Sequence, residues 1–493
     1  MYTTGLLRRQ RPGNLALGIV AAWLMVLAIA EPAHAIPTFA RKYQTSCITC
    51  HTVYPQLTLA GEAFRRNGYQ FPNDDETLVK EEPVKLGSEA YKQMFPNSIW
   101  PSTLPSIPPL FIRTQMLGIV NTTPHGAPGS DLHLPEEIGL GGAGTYGSNI
   151  SGWWQVVFSP VEGEAGVERA FVQFSNLFAW EEDADEDGSH LASRFAVLPK
   201  YALNLRLGRM NTSVIPMIAS EHSRLPVVEP MPNLQTIGLN AFSLEGTQTA
   251  IEATGIIQQN WSYAFGIANG GSAAGAGQDD NTFKDQYFRV ARRWFGYPLD
   301  GNIGQAPPGA TTTGQSQQDD ESEFEPVGLD WWRAVCFETG VFGWNGESLI
   351  PPLEGFSTDF RDDAFQRLGG DFQFWYFDWR FYGIGYWAHD QFAGLTPDGM
   401  DLGHEDHLSG FVEADYQVKP WLIGFVRLER THMLKQDRVA FEDQGRVVPG
   451  IIWVVRQNVK VQMDAYINTL HHNDNLDTPQ NLNQIVVQLD MTF

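Results

Sequence analysis

Gln484-Ile485-Val486-Val487-Gln488-Leu489-Asp490-Met491-Thr492-Phe493 ends the chain. Ile485, Val487, Leu489, Met491 and Phe493 take every second position, while Gln484, Val486, Gln488, Asp490 and Thr492 fill the gaps. Successive side chains of an extended strand point to opposite faces, so this segment has one apolar face, one mostly polar face and an aromatic end.

The same period of two recurs upstream. In Tyr201-Ala202-Leu203-Asn204-Leu205-Arg206-Leu207-Gly208-Arg209, the apolar residues Tyr201, Leu203, Leu205 and Leu207 face one way, and Asn204 and Arg206 face the other. Residues 150–158, 261–269, 411–418, 423–430 and 459–467 repeat the pattern. Soluble sandwiches alternate in this way too. The terminal row with its final Phe493 resembles the signature by which outer-membrane barrels are recognised for insertion. Trp153-Trp154, Trp331-Trp332, Trp375-Tyr376 and Trp379 match the aromatic girdles of such barrels. A transmembrane antiparallel β-barrel over residues 110–493 is the fold expected, with about 16 strands of roughly 9–11 residues each. Residues 211–235, 270–283 and 300–326 read as long loops.

Composition agrees with this class. Charged residues make up 18% and aromatic residues 12%, with 48 Gly and 15 Trp. The mean hydropathy of −0.24 is what alternating strands give, and no segment beyond the N-terminus reads as a transmembrane helix. A net charge of −24 argues against nucleic-acid binding and favours cations or basic proteins as partners. The acidic runs Glu181-Glu182-Asp183 with Asp185-Glu186-Asp187, and Asp319-Asp320-Glu321 with Glu323 and Glu325, are read as solvated loops rather than iron-gathering sites. Strand counting also leaves the first of them near the periplasmic side. His471-His472 with Asp474 reads as a turn before the last strand.

At the other terminus, Arg8, Arg9 and Arg11 precede the apolar run 15–30 and the triplet Ala33-His34-Ala35. This is the plan of a cleaved secretory signal, residues 1–35; the run is shorter than the roughly 20 residues a membrane helix needs. Sec export is expected. Removing it leaves 493 − 35 = 458 residues.

Cys47-Ile48-Thr49-Cys50-His51 follows, within a compact helical unit expected over residues 36–72. In a c-type cytochrome the two thiols bond to the haem vinyl groups and the adjacent histidine is delivered to iron. A redox disulfide or a zinc half-site is the competing reading, but neither needs the histidine and no second cysteine pair completes a zinc site. One motif implies one covalent haem c, with Cys47, Cys50 and His51 holding it. Met94, from the proline-rich connector 73–109, is the first methionine after the motif and the leading candidate for sixth ligand. A histidine or a barrel residue is the alternative. The third cysteine, Cys336, lies in a strand-like run and reads as an apolar filler. After the motif, Leu57, Ala60, Gly61 and Phe64 fall on one helical face, with Glu62, Arg65 and Arg66 off it and Asn67-Gly68 as the stop.

A signal peptide, the cysteine–histidine motif, a helix marked by Pro55, Leu57, Gly61, Phe64, Gly68 and Tyr69, and then a porin-like barrel resemble the fused outer-membrane cytochrome-porins of iron-oxidising bacteria. The resemblance covers the whole chain. It implies haem attachment at Cys47 and Cys50 and axial ligation by His51, in the outer membrane of a Gram-negative cell. It further implies oxidation of extracellular Fe(II), with electrons delivered to a periplasmic cytochrome c or copper protein. Two other functions fit the same layout: a solute porin whose haem unit is a plug or sensor, and a conduit reducing an extracellular acceptor.

Overall fold

The computed structural model describes residues 38–72, 78–80, 84–85, 93–94, 103–104, 110–122, 129–146, 149–161, 163–179, 197–215, 240, 242–270, 282–302, 335–350, 361–394, 401–437, 443–470 and 483–492. The signal-peptide reading, the two acidic runs, Trp331-Trp332, His471-His472 and Phe493 lie outside these residues. Pro37–Thr492 form one compact unit.

Sixteen antiparallel strands close into a barrel. They are β1 (Leu110–Asn121), β2 (Ser130–Tyr146), β3 (Ile150–Ser159), β4 (Glu164–Phe174), β5 (Asn204–Asn211), β6 (Thr247–Ile257), β7 (Trp261–Ala268) and β8 (Asp285–Phe295). The second half comprises β9 (Val335–Ile350), β10 (Arg361–Tyr376), β11 (Trp379–Asp390), β12 (Glu405–Lys419), β13 (Leu422–Gln436), β14 (Gln444–Arg456), β15 (Val459–Asn468) and β16 (Gln484–Thr492). Each pairs with its neighbour in sequence, and the ring closes where β16 pairs with β1, from Gln484 opposite Asn121 to Thr492 opposite Arg113. Arg113 on β1 donates to Asp490 on β16 through Nε (3.0 Å) and Nη2 (2.6 Å), a bidentate pair across the seam. An even strand number leaves the start of β1 and the end of β16 on one rim.

The alternation is inverted relative to a soluble protein. Outward positions are apolar and exposed, as at Ile112, Phe158, Ile251, Phe265, Val341, Leu368, Val412, Leu428 and Ile467. Inward positions carry buried charges, among them Arg206, Glu252, Arg289, Glu338, Arg367, Glu413 and Arg427. Such a surface is stable only against hydrocarbon, and closure satisfies every ladder hydrogen bond, which is what a bilayer demands. No helix among the described residues is long and apolar enough to span, so the crossing is by strands.

Exposed Tyr146, Trp154, Trp261, Trp294, Tyr376, Trp379, Tyr416, Trp421 and Trp453 all sit near the ends of strands that reach the terminus-bearing rim, forming a girdle there. Two expected girdle residues turn inward instead: Trp153 packs against the N-terminal segment, and Trp375 is buried beside Leu59 and Cys336. A one-residue step reverses the face, so only Trp154 and Tyr376 of those pairs face outward. In the last strand, Ile485 is exposed and Val487 and Met491 partly so, whereas Leu489 is buried. The strand expected from Tyr201 begins only at Asn204, because Tyr201 has φ 66° and its hydroxyl donates to the Pro72 carbonyl at 2.7 Å.

Candidate functional site

The N-terminal segment occupies the lumen at the terminus-bearing end. Helix α1 (Thr38–Tyr43) leads to a 3-10 turn (Cys47–Thr49), then a two-stranded hairpin (His51–Val53 with Gln56–Leu57) and helix α2 (Leu59–Arg66). Leu57 falls in the hairpin, so α2 begins later than its apolar spacing suggests. Thr58 caps it, its Oγ1 accepting from Gly61 N at 3.1 Å. Asn67 and Gly68, the latter at φ +72°, end it as expected. Glu62, expected off the apolar face, is buried, with Arg65 and Arg66 at 3.6 and 3.7 Å. A helix inside a lumen has no solvated side, and the barrel wall meets the charges of α2: Arg66 lies 3.7 Å from Glu338.

Polar and apolar contacts fix the segment to the wall. Gln56 donates to Asp415 Oδ2 at 2.8 Å and accepts from Arg380 at 3.1 Å. Asn67 donates to the Asp300 carbonyl at 2.7 Å, and Cys47 N to Gln457 Oε1 at 3.1 Å. Val53 joins a buried cluster with Leu117, Phe425, Ile452 and Tyr466, and Leu59 joins one with Cys336 and Trp375. Cys336 is thus an apolar filler where plug meets wall, as expected.

Cys47, Cys50 and His51 line one cavity of about 200 Å³, between the plug and the wall. Phe39, Tyr43, Leu57, Phe64, Tyr69 and Phe71 line it from the plug, and Phe111, Arg113, Ala143, Trp153 and Arg169 from the barrel. Both thiols are free and partly buried. Burial raises Cys47 above its ordinary value and, more strongly, Cys50 to about 11, the neighbouring Cys47 adding to the effect on Cys50. Burial lowers His51 to about 4, so its imidazole stays neutral, the form that coordinates metal. Its Nδ1 lies 3.3 Å from the Pro55 carbonyl oxygen, which orients the ring.

Gly61 completes the cradle. A Cβ there would stand 2.1 Å from the Cys50 carbonyl oxygen, so only glycine lets α2 approach the motif backbone this closely. These residues fit a covalent haem: two thiols, a neutral imidazole oriented by a backbone carbonyl, and a cavity walled by aromatic side chains of plug and barrel.

Met94 does not join them. It is 70% exposed and lies outside the cavity lining. The plug was legible from the motif and its spacing; Trp153, Arg113 and Arg169, from strands far along the chain, were not, because alternation gives the face of a residue but not its height in the barrel.

No protein-family model and no curated protein sequence matches this chain. Among solved structures it is similar to the Vibrio cholerae outer membrane protein OmpT in a form lacking loop L8, at 10% identity and a TM-score of 0.45, covering 78% of this chain and 98% of that one. It is similar to Salmonella typhi OmpF in complex with daunomycin, at 12% identity and 0.47, covering 80% and 98%. The outer membrane channel DcaP of Acinetobacter baumannii gives 9% and 0.44, covering 78% and 96%.

Proposed function

We propose that this chain is an outer-membrane electron-transfer protein of Gram-negative bacteria, with one haem c bonded to Cys47 and Cys50 and ligated by His51 inside the barrel. The observation that carries it is the shared cavity of these three residues, walled by barrel side chains at the terminus-bearing end. A bound haem would supply a one-electron centre. His51 provides the ligand, Pro55 orients it, and Phe64, Tyr69, Phe111 and Trp153 keep water from the cavity. Extracellular Fe(II) is the proposed donor and a periplasmic cytochrome c or copper protein the acceptor, making the chain an Fe(II):cytochrome oxidoreductase.

A second reading, a solute porin carrying a haem plug, is favoured by the barrel itself, an architecture used by pores. Against a wide pore stands the filled lumen, where Arg427 and Glu413 pair at 2.7 Å with neither exposed, and Arg289 meets Asp371 at 2.8 Å. Mixing the oxidised, detergent-folded protein with Fe(II) decides between them. Rapid appearance of reduced haem bands is expected. Bands that respond to dithionite but not Fe(II), together with large steady conductance in a planar bilayer, would leave the porin. A low midpoint potential would instead indicate a conduit running outward.

A further inference from the structure

At the rim opposite the termini, β11 ends at Asp390 and β12 begins at Glu405, and the two residues pair in register. Both point inward, as does His407 two residues on. One donor atom from each lies within 4.8 Å of the others. All three are buried, at 0%, 1% and 0% exposure. We propose that Asp390, Glu405 and His407 form a lumenal site for a divalent first-row transition-metal ion.

Three observations support the assignment. First, each side chain leaves a polar atom without a hydrogen-bond partner: Asp390 Oδ2, Glu405 Oε2 and His407 Nε2. Unpartnered polar atoms recur elsewhere in the lumen, as at Glu413 Oε1 and Asp415 Oδ1, but among the described residues only here do two carboxylates and an imidazole bring ligand atoms within 4.8 Å of one another, an arrangement that calls for a ligand. Second, the remaining atoms are held as outer-shell contacts hold metal ligands. Arg367 Nη2 donates to Asp390 Oδ1 at 2.8 Å, and His407 Nδ1 lies 2.8 Å from Glu405 Oε1. Third, the charges do not balance. Asp363, joined to Asp390 through Asn240 at 2.8 and 3.5 Å, brings the buried carboxylates to three, faced by the Arg367 guanidinium, while the partly exposed Asp406 beside them is met by His389 at 2.6 Å. The Tyr386 ring, 6.1 Å from that of His407, adds no charge. A dication cancels the excess that burial penalises.

Two carboxylates and one imidazole suit Mn(II), Fe(II), Co(II) or Zn(II), whereas an all-oxygen shell would suit Mg(II) or Ca(II). The site itself stands on this geometry; only the statement that Fe(II) is the natural occupant rests on the proposed function. Asp390 lies ten residues beyond Arg380, which holds the plug, a strand length of about 33 Å. The site therefore captures the ion at the far mouth and is separate from the haem cavity.

Mn(II) is the probe. Titrated into the full-length, detergent-folded protein, it is expected to bind at one site per chain, and its spin-echo spectrum to show a single imidazole nitrogen. Glu405→Gln and His407→Gln should each weaken binding at least tenfold, while Asp406→Asn, at the neighbouring outward position, should not. An unheated gel confirms that each variant is folded. No binding by wild type, no nitrogen coupling, or unchanged binding in both folded variants overturns the site. Haem reduction by Fe(II) is read separately: its loss with Mn(II) binding intact removes the electron-transfer function and leaves the metal site standing.

Discussion

At Gly61 a hydrogen stands where any side chain would strike the Cys50 carbonyl. Gly61→Ala should destabilise the docked plug by about 3 kcal/mol, at the upper end of ordinary overpacking costs, because the colliding atom is backbone and cannot swing aside. Limited proteolysis of the folded barrel should then cut within residues 38–72 far faster than in wild type, while the barrel stays resistant. His51→Ala should remove the ligand without removing the thioethers. Haem staining would persist and the redox spectrum change; a normal spectrum in the variant would show that iron is held by another residue. Both positions could be read from the sequence, since a cysteine–histidine motif and a following Gly at helical spacing are local patterns. Met94 could not be judged that way. Its ligand role depends on where the connector runs, and in the structure its side chain is exposed and outside the cavity lining.

The strand scale is where period-two reading works and where it stops. Residues 411–418 and 423–430 fall inside β12 and β13, with inward Glu413 and Arg427 and outward Val412 and Leu428 as alternation requires. Boundaries escaped it at Tyr201, where a positive φ delays β5 to Asn204, and height escaped it at Trp153 and Trp375. Partners across the seam were equally hidden, since Arg113 and Asp490 are 377 residues apart. Breaking that buried pair with Arg113→Leu should lower the denaturant midpoint, at a cost below the roughly 3–5 kcal/mol of an uncompensated buried charge because Lys460 still stands 3.7 Å from Asp490. Deleting Phe493 should impair insertion by removing the aromatic end of the row Ile485, Val487, Leu489 and Met491, yet spare haem loading. Fractionation with haem staining checks both outcomes, and normal insertion of the deletion would show the terminal aromatic to be dispensable.

Over the whole molecule, the barrel and its plug make a single object with unlike ends. The terminus-bearing end holds the cysteine–histidine cavity and the aromatic girdle; the far end holds Asp390, Glu405 and His407. Because the ladder closes on itself, the folded barrel should resist detergent and migrate anomalously on an unheated gel. The plug is tied to the wall at Gln56, Asn67 and Pro72, so haem and barrel should travel together in that band. Mass spectrometry of the unheated band tests this most directly. One haem mass per chain, on the peptide containing Cys47 and Cys50, is the predicted result. A folded barrel whose Cys47–Cys50 peptide carries no haem would contradict it.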